Sequence, residues 1–203
     1  MHNGKKTKLG VGIPMSRKHA RKKIAAKLAD GQANPFVSME FESRNVKWGS
    51  GTTRSINHCP YTFRVGFPIR NIQANFGKKP VINFDGESVV AEIAVLRLLQ
   101  KAGWDGVWVD PWQNKNKYRN ALPPQCCELP GHAQEFLNRI SGGKKWPRGC
   151  WDIFAWKDER YLFVECKRRG KDRPSEGQIK WLNDALKLRI PKRSFIIFEW
   201  DLA

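Results

Sequence analysis

The run Tyr161-Leu162-Phe163-Val164 constrains the fold of this chain more than any other feature. Side chains of a strand point alternately to its two faces, so a strand with one wet face alternates apolar and polar residues. This run has no polar face. It reads as an interior strand of a sheet covered on both sides, which implies an α/β architecture. The apolar run stops abruptly at Glu165, followed by Cys166 and Lys167. The acid and the lysine are two apart and share a face. Burying such an acid is costly unless something pairs with it. A divalent cation would do so, and so would an ordinary strand-end salt bridge; the triplet alone leaves both open. Asp158-Glu159-Arg160 reads as a turn, and Trp151 to Trp156 as the strand before it. Hairpin pairing would then bring Asp152 towards Glu165. Two strand-end carboxylates suit Mg²⁺, which takes oxygen ligands and completes its shell with water and substrate phosphate.

The flanking pattern extends this core. Ser88 to Ala102 has helical periodicity and is stopped by Gly103; Val107 to Val109 reads as a short strand. Ser175 to Leu188 reads as a second helix and Phe195 to Trp200 as a last strand. The order is helix, three strands, helix, strand. Residues 110–150 form a long irregular insert with one helix around His132 to Ile140. Within the first helix Glu92 falls inside the apolar arc beside Leu96 and Leu99, and Glu87 falls on the polar side. Glu92 is therefore expected to face the core and the strand ends. Ser175 with Gln178 three residues on is a capping box, which by itself explains both residues.

The stretch from Phe163, FVECKRRGKDRPSEGQIKWL, resembles the PD-(D/E)xK nuclease superfamily, most closely the VRR-NUC family. There an acid-x-Lys strand is followed by a Gly-containing loop and a helix opening S-x-x-Q, matched here by Ser175 and Gln178. The resemblance spans roughly residues 84–200, and its motif core about 40 of them. Two departures stand out: the family's Gly-x-Pro-Asp is Gly149-Cys150-Trp151-Asp152 here, without the proline, and the 41-residue insert between the first and second core strands is long. The resemblance implies a restriction-endonuclease-like α/β core with a mixed central sheet. It implies that Asp152, Glu165 and Glu92 hold Mg²⁺ or Mn²⁺. It further implies that Lys167 orients or deprotonates the attacking water, and that Gln178 supports the lysine or a phosphate. The implied activity is hydrolysis of phosphodiester bonds in DNA, with branched, flap or junction DNA as candidate substrates. Two alternatives stand beside it: a non-catalytic nucleic-acid-binding protein that keeps the fold, and an RNA-directed nuclease.

Charge agrees with a polyanionic partner. Lys and Arg number 37 against 19 acids, a net of +18. The first 80 residues hold 16 of the basic residues but only 3 of the acids. They read as a basic N-terminal extension, residues 1–80, ahead of the nuclease core at 81–203. Ser16 to Ala29 reads as a helix whose Arg17, Lys18, Arg21 and Lys22 would lie along phosphates. Phe36 to Trp48 and Tyr61 to Ile69 read as strands, and Pro80 to Phe84 as a third. Lys144, Lys145, Arg168 and Arg169 are further candidate phosphate contacts, and Trp112 and Trp146 could stack on unpaired bases. DNA is the expected partner and RNA an open one; a homodimer is compatible with the sequence. No run approaches the roughly 18–20 apolar residues of a membrane helix, and no secretory h-region is visible. Five cysteines without CxxC spacing fit free thiols in a reducing, cytoplasmic or nuclear compartment. Cys126, Cys127, His132 and Cys150 match no zinc spacing.

Overall fold

A computed structural model describes residues 31–47, 51, 53–66, 79–112, 115–120, 126–143 and 149–203. The elements are α1 (Pro35–Ser38), β1 (Glu42–Lys47), β2 (Thr53–Val65), β3 (Ile82–Phe84), β4 (Glu87–Val89), α2 (Ala91–Lys101), β5 (Asp105–Trp112), β6 (Lys115–Arg119), α3 (Gly131–Ser141), β7 (Ile153–Lys157), β8 (Arg160–Arg168), α4 (Glu176–Lys187) and β9 (Phe195–Leu202). The expected basic helix over residues 16–29 lies outside the described residues, as do Lys144 and Lys145.

Among the described residues, nine strands form one mixed sheet in the order β4-β3-β2-β9-β8-β7-β5-β6, with β1 also paired to β2. The neighbours of β8 are antiparallel β7 and parallel β9. Its residues divide strictly by face. Leu162, Val164 and Cys166 join the core beneath α2, while Phe163 joins the core beneath α3 and α4. Each face needs its own apolar cover, which is why the Tyr161–Val164 run has no polar side. On the α4 face the rings form a ladder: Phe136 on Tyr161 at 3.7 Å, Phe154 on Phe163 at 5.1 Å, and Phe163 on Phe195 at 5.1 Å. Such offset aromatic contacts add to area burial. No helix of the described residues is long and apolar enough to cross a membrane.

Several boundaries differ from the sequence reading, each for a physical reason. The first core helix begins at Ala91, not Ser88. Asp85 and Gly86 both take positive φ, 52° and 87°, and turn the chain between β3 and β4. An Asp-Gly pair suits a two-residue hairpin turn, so Glu87 and Ser88 are drawn into a strand. The expected strand from Phe36 splits into a helical turn and β1, because Asn34 caps α1. Its Oδ1 accepts from Phe36 N at 3.0 Å and its Nδ2 donates to Leu98 O at 2.8 Å, tying α1 to α2. Part of the 110–150 insert is regular: β5 runs to Trp112 and pairs antiparallel with β6 at the sheet edge, and α3 packs beside α4. The segment read as an extension also enters the sheet. Thirteen-residue β2 runs parallel to β9 from Asn57 to Phe63. Pro60 falls after β1 has ended and before β3 begins, where only β9 is registered against it, a position that suits a residue without an N–H.

The approach to β7 depends on a close backbone contact. Gly149 has φ +79°, and a Cβ there would lie 2.2 Å from Gly177 O in the first turn of α4. Gly149→Ala is expected to destabilise the protein by roughly 2–4 kcal/mol, combining the left-handed penalty with backbone overlap. Gly142→Ala, at φ +64° with nothing within 4 Å of the added methyl, should cost only about 1–2 kcal/mol. Urea melts that gave equal losses would show that residues 149–151 do not press on α4.

Candidate active site

The site sits where β7 and β8 end beside the N-terminus of α4. Ile153 pairs with Val164, so the next cross-strand position sets Asp152 against Glu165. The pairing is closed by two bonds. Asp152 N donates to Glu165 Oε2 at 3.3 Å, and Cys166 N donates to Asp152 Oδ2 at 2.9 Å. On the other edge Val109 N donates to Asp152 O at 2.7 Å, holding the backbone of this residue between β5 and β8. Trp151 anchors it from the side. It is fully buried, packs edge-on to Phe195 at 5.1 Å, and donates its indole N–H to Gln178 O at 3.1 Å.

Glu165 is completely buried, and three donors meet its carboxylate, two of them on Oε1. Lys167 Nζ lies 2.7 Å from Oε1, and Gln178 Nε2 donates to the same oxygen at 2.6 Å. The capping box expected of Gln178 is present, and the other end of its amide meets Glu165 rather than the lysine. Gln178 Oε1 accepts from Ser175 N at 2.8 Å, while Ser175 Oγ accepts from Gln178 N at 3.3 Å. That capping box fixes which end of the amide faces the helix start, and so aims the NH₂ group at Glu165.

Burial raises the pKa of Glu165; the charge and hydrogen bond of Lys167, and then hydrogen bonds from Asp152, oppose it without reversing it. Asp152 is pushed well above the usual carboxylate range, first by burial and then by the Glu165 charge, against the pull of Lys167. Asp152 nonetheless keeps part of its surface open to solvent. Lys167 is raised: burial opposes its charge, but Glu165 and Asp152 outweigh burial. It is held as an ammonium. The thiols of Cys150 and Cys166 are driven up by burial and are not nucleophiles.

Among the described residues no group of three or more His, Cys, Asp or Glu side chains is placed to hold a metal ion. The expectation that Glu92 faces the core holds, since it is 7% exposed, but the cation it meets is Lys79, which forms an ion pair with its Oε1. Glu87 lies in β4, half-exposed, 3.9 Å from Arg97. Nothing in the sequence pattern singled out Lys79, which precedes Pro80 outside any periodic element. The available signal was indirect: a buried Glu92 demanded a positive partner.

Arg168 and Arg169, expected at phosphates, border the site. The Arg168 guanidinium lies 5.7 Å from the Trp200 ring centroid. Arg169 is 48% exposed and bonds Glu199 at 3.4 Å and Asp201 at 3.9 Å. Glu199 is registered beside Lys167 and also meets His58 at 3.4 Å. Burial, then Arg44, lowers the His58 pKa. The expected contacts Arg17, Lys18, Arg21 and Lys22 lie outside the described residues. All five cysteines are free. No family model, curated protein or solved structure matches the chain.

The raised carboxylates give a pH signature with a definite sign. A folded pKa above the unfolded one contributes stability that is present below the unfolded value, near 4. It is lost as pH rises through the folded value. Without divalent ions, the wild type should therefore lose thermal stability relative to Asp152→Asn as pH rises from about 5 to 8. A pH-independent difference between the two melting temperatures would contradict a buried aspartate whose pKa is raised in the folded state. Lys167, raised above the ordinary lysine range, stays charged throughout that window.

Proposed function

We propose that the chain is a Mg²⁺- or Mn²⁺-dependent nuclease that hydrolyses phosphodiester bonds in DNA, on a restriction-endonuclease-like core of the PD-(D/E)xK type. One observation carries the proposal. A fully buried strand-end glutamate is bracketed by a cross-strand aspartate, a lysine two residues on, and a glutamine from the following helix. The element order α2, β5, β7, β8, α4, β9 supports it, as does the net charge of +18.

The residues fit one divalent ion. Asp152 and Glu165 face each other across two strands with Lys167 as their nearest shared positive charge, and burial pushes both towards protonation. That is the behaviour of a carboxylate pair short of positive charge. Two carboxylates suffice for Mg²⁺ when water and phosphate complete the shell. When bound, the ion would polarise the phosphate and lower the pKa of water. The remaining work falls to the chain. Asp152, partly open to solvent, presents its carboxylate to the substrate side. Lys167, held as an ammonium by Glu165, donates hydrogen bonds to the attacking water and to phosphate oxygens as charge builds on them. An ammonium cannot accept the water's proton, so Lys167 orients and stabilises rather than acting as the base. Gln178 holds Glu165 in the orientation that serves both partners.

The test is incubation with labelled linear, flap, branched and RNA substrates, with and without Mg²⁺. Cleavage of DNA should require the ion. Asp152→Ala, Glu165→Ala and Lys167→Ala should each lower it by at least ~10²-fold, the scale of one positioned group. Binding should persist, because few phosphate contacts are removed. Undiminished cleavage by the Asp152 variant would overturn the site. Binding without cleavage of any DNA would favour a non-catalytic role, and cleavage of RNA alone would move the substrate class.

A further inference from the structure

A third carboxylate of this region, that of the buried Glu92, already has a cation. Glu92 opens the first turn of α2 and is 93% buried (7% exposed). Its Oε1 is paired with the ammonium of Lys79, and its Oε2 is buried without a hydrogen-bond partner. The lysine is not loosely placed. Its Nζ stands 5.1 Å from the centroid of the Trp108 ring on β5, a cation–π contact. Trp108 is registered against Ile153, the residue after Asp152, and Val109 N donates to Asp152 O, which sets the lysine beside Asp152. Two like units therefore flank Asp152: Glu165 with Lys167 on the α4 face, and Glu92 with Lys79 on the α2 face.

We propose that Lys79 occupies the place of a second divalent ion between Glu92 and Asp152, so that the site takes a single ion, held by Asp152 and Glu165. This rests on the nuclease reading above. In two-metal sites the ions sit about 3.5–4 Å apart and share carboxylates. A second ion here would draw on Glu92, the buried carboxylate paired with Lys79. To bind it would have to expel a tethered ammonium from both its carboxylate and its aromatic face. Unlike a dissociable ion, Lys79 is present at any metal concentration, since its local concentration is set by the chain. It is 38% exposed, and so it also presents N–H groups to a phosphate oxygen arriving at the strand ends. With Lys79 gone, Glu92 Oε1 is released from the ion pair and joins the unpartnered Oε2 as a free ligand.

Mn²⁺ binding to the full chain, counted by calorimetry and by the loss of free-ion spin resonance signal, tests this without reference to turnover. The wild type should bind one ion at the site, removed by Asp152→Asn. Lys79→Met should bind two. The double variant Lys79→Met/Glu92→Gln, which removes both charges together, should return to one ion with affinity within about tenfold of wild type, the reach of screened through-space effects. Circular dichroism confirms folding of each variant, and the wild-type count stands alone if Lys79→Met does not fold. Two site-specific ions in the wild type would overturn the inference and leave the nuclease reading intact. So would one ion in folded Lys79→Met, or loss of the ion in the double variant. No ion in the wild type would overturn both.

Discussion

The burial of Glu165 organises the functional end of this molecule. A carboxylate with no solvent contact must be surrounded by donors, and each donor here comes from a different element. Asp152 N comes from the approach to β7, the Lys167 ammonium from the end of β8, and the Gln178 amide from the first turn of α4. Satisfying one side chain thus fixes the hairpin register, the height of α4 and the rotamer of the lysine together. The Gly149–Gly177 contact and the Trp151 indole bond lock the same junction from outside. The arrangement is under-neutralised: three carboxylates, Glu92, Asp152 and Glu165, answer to two lysines. Burial and this crowding push Asp152 and Glu165 towards protonation, which is the physical link between the fold and the proposed chemistry.

Much of this was legible because its causes are local. The two-faced apolar run on β8 encodes its interior position, and the turn at Asp158 to Arg160 encodes the hairpin that opposes Asp152 to Glu165. The Ser175 and Gln178 spacing encodes the helix start. What escaped was mostly non-local. That β2 lies parallel to β9 follows from pairing segments distant in sequence, and no periodicity in either announces the partner. The Lys79–Glu92 pair is of the same kind: one member lies in an aperiodic stretch, and only the demand of the buried acid was readable. The Asp85-Gly86 turn is different. Its Asp-Gly signal is present in the sequence, but the helical period read from Ser88 hides the short strand that follows the turn.

The placement of β2 bears on how the basic half of the sequence meets the rest. Its register with β9 carries His58 to Ile197 and Pro60 to Glu199, and Glu199 is registered with Lys167 across the next strand. Charged side chains from β1 and β2 therefore reach the same sheet face as the site. Arg44, His58, Glu199 and Arg169 form a polar continuation of the Glu165–Lys167 pair. This network is partly neutralised internally.

The central claim is that Asp152 and Glu165 jointly hold a divalent cation. Anomalous scattering from crystals grown with Mn²⁺ tests it most directly. The account requires a peak within coordinating distance, about 2.0–2.3 Å by analogy with hard oxygen ligands, of a carboxylate oxygen on each residue, and no such peak in crystals of Glu165→Gln. A peak elsewhere on the protein, or density at the site unchanged by that substitution, would contradict it.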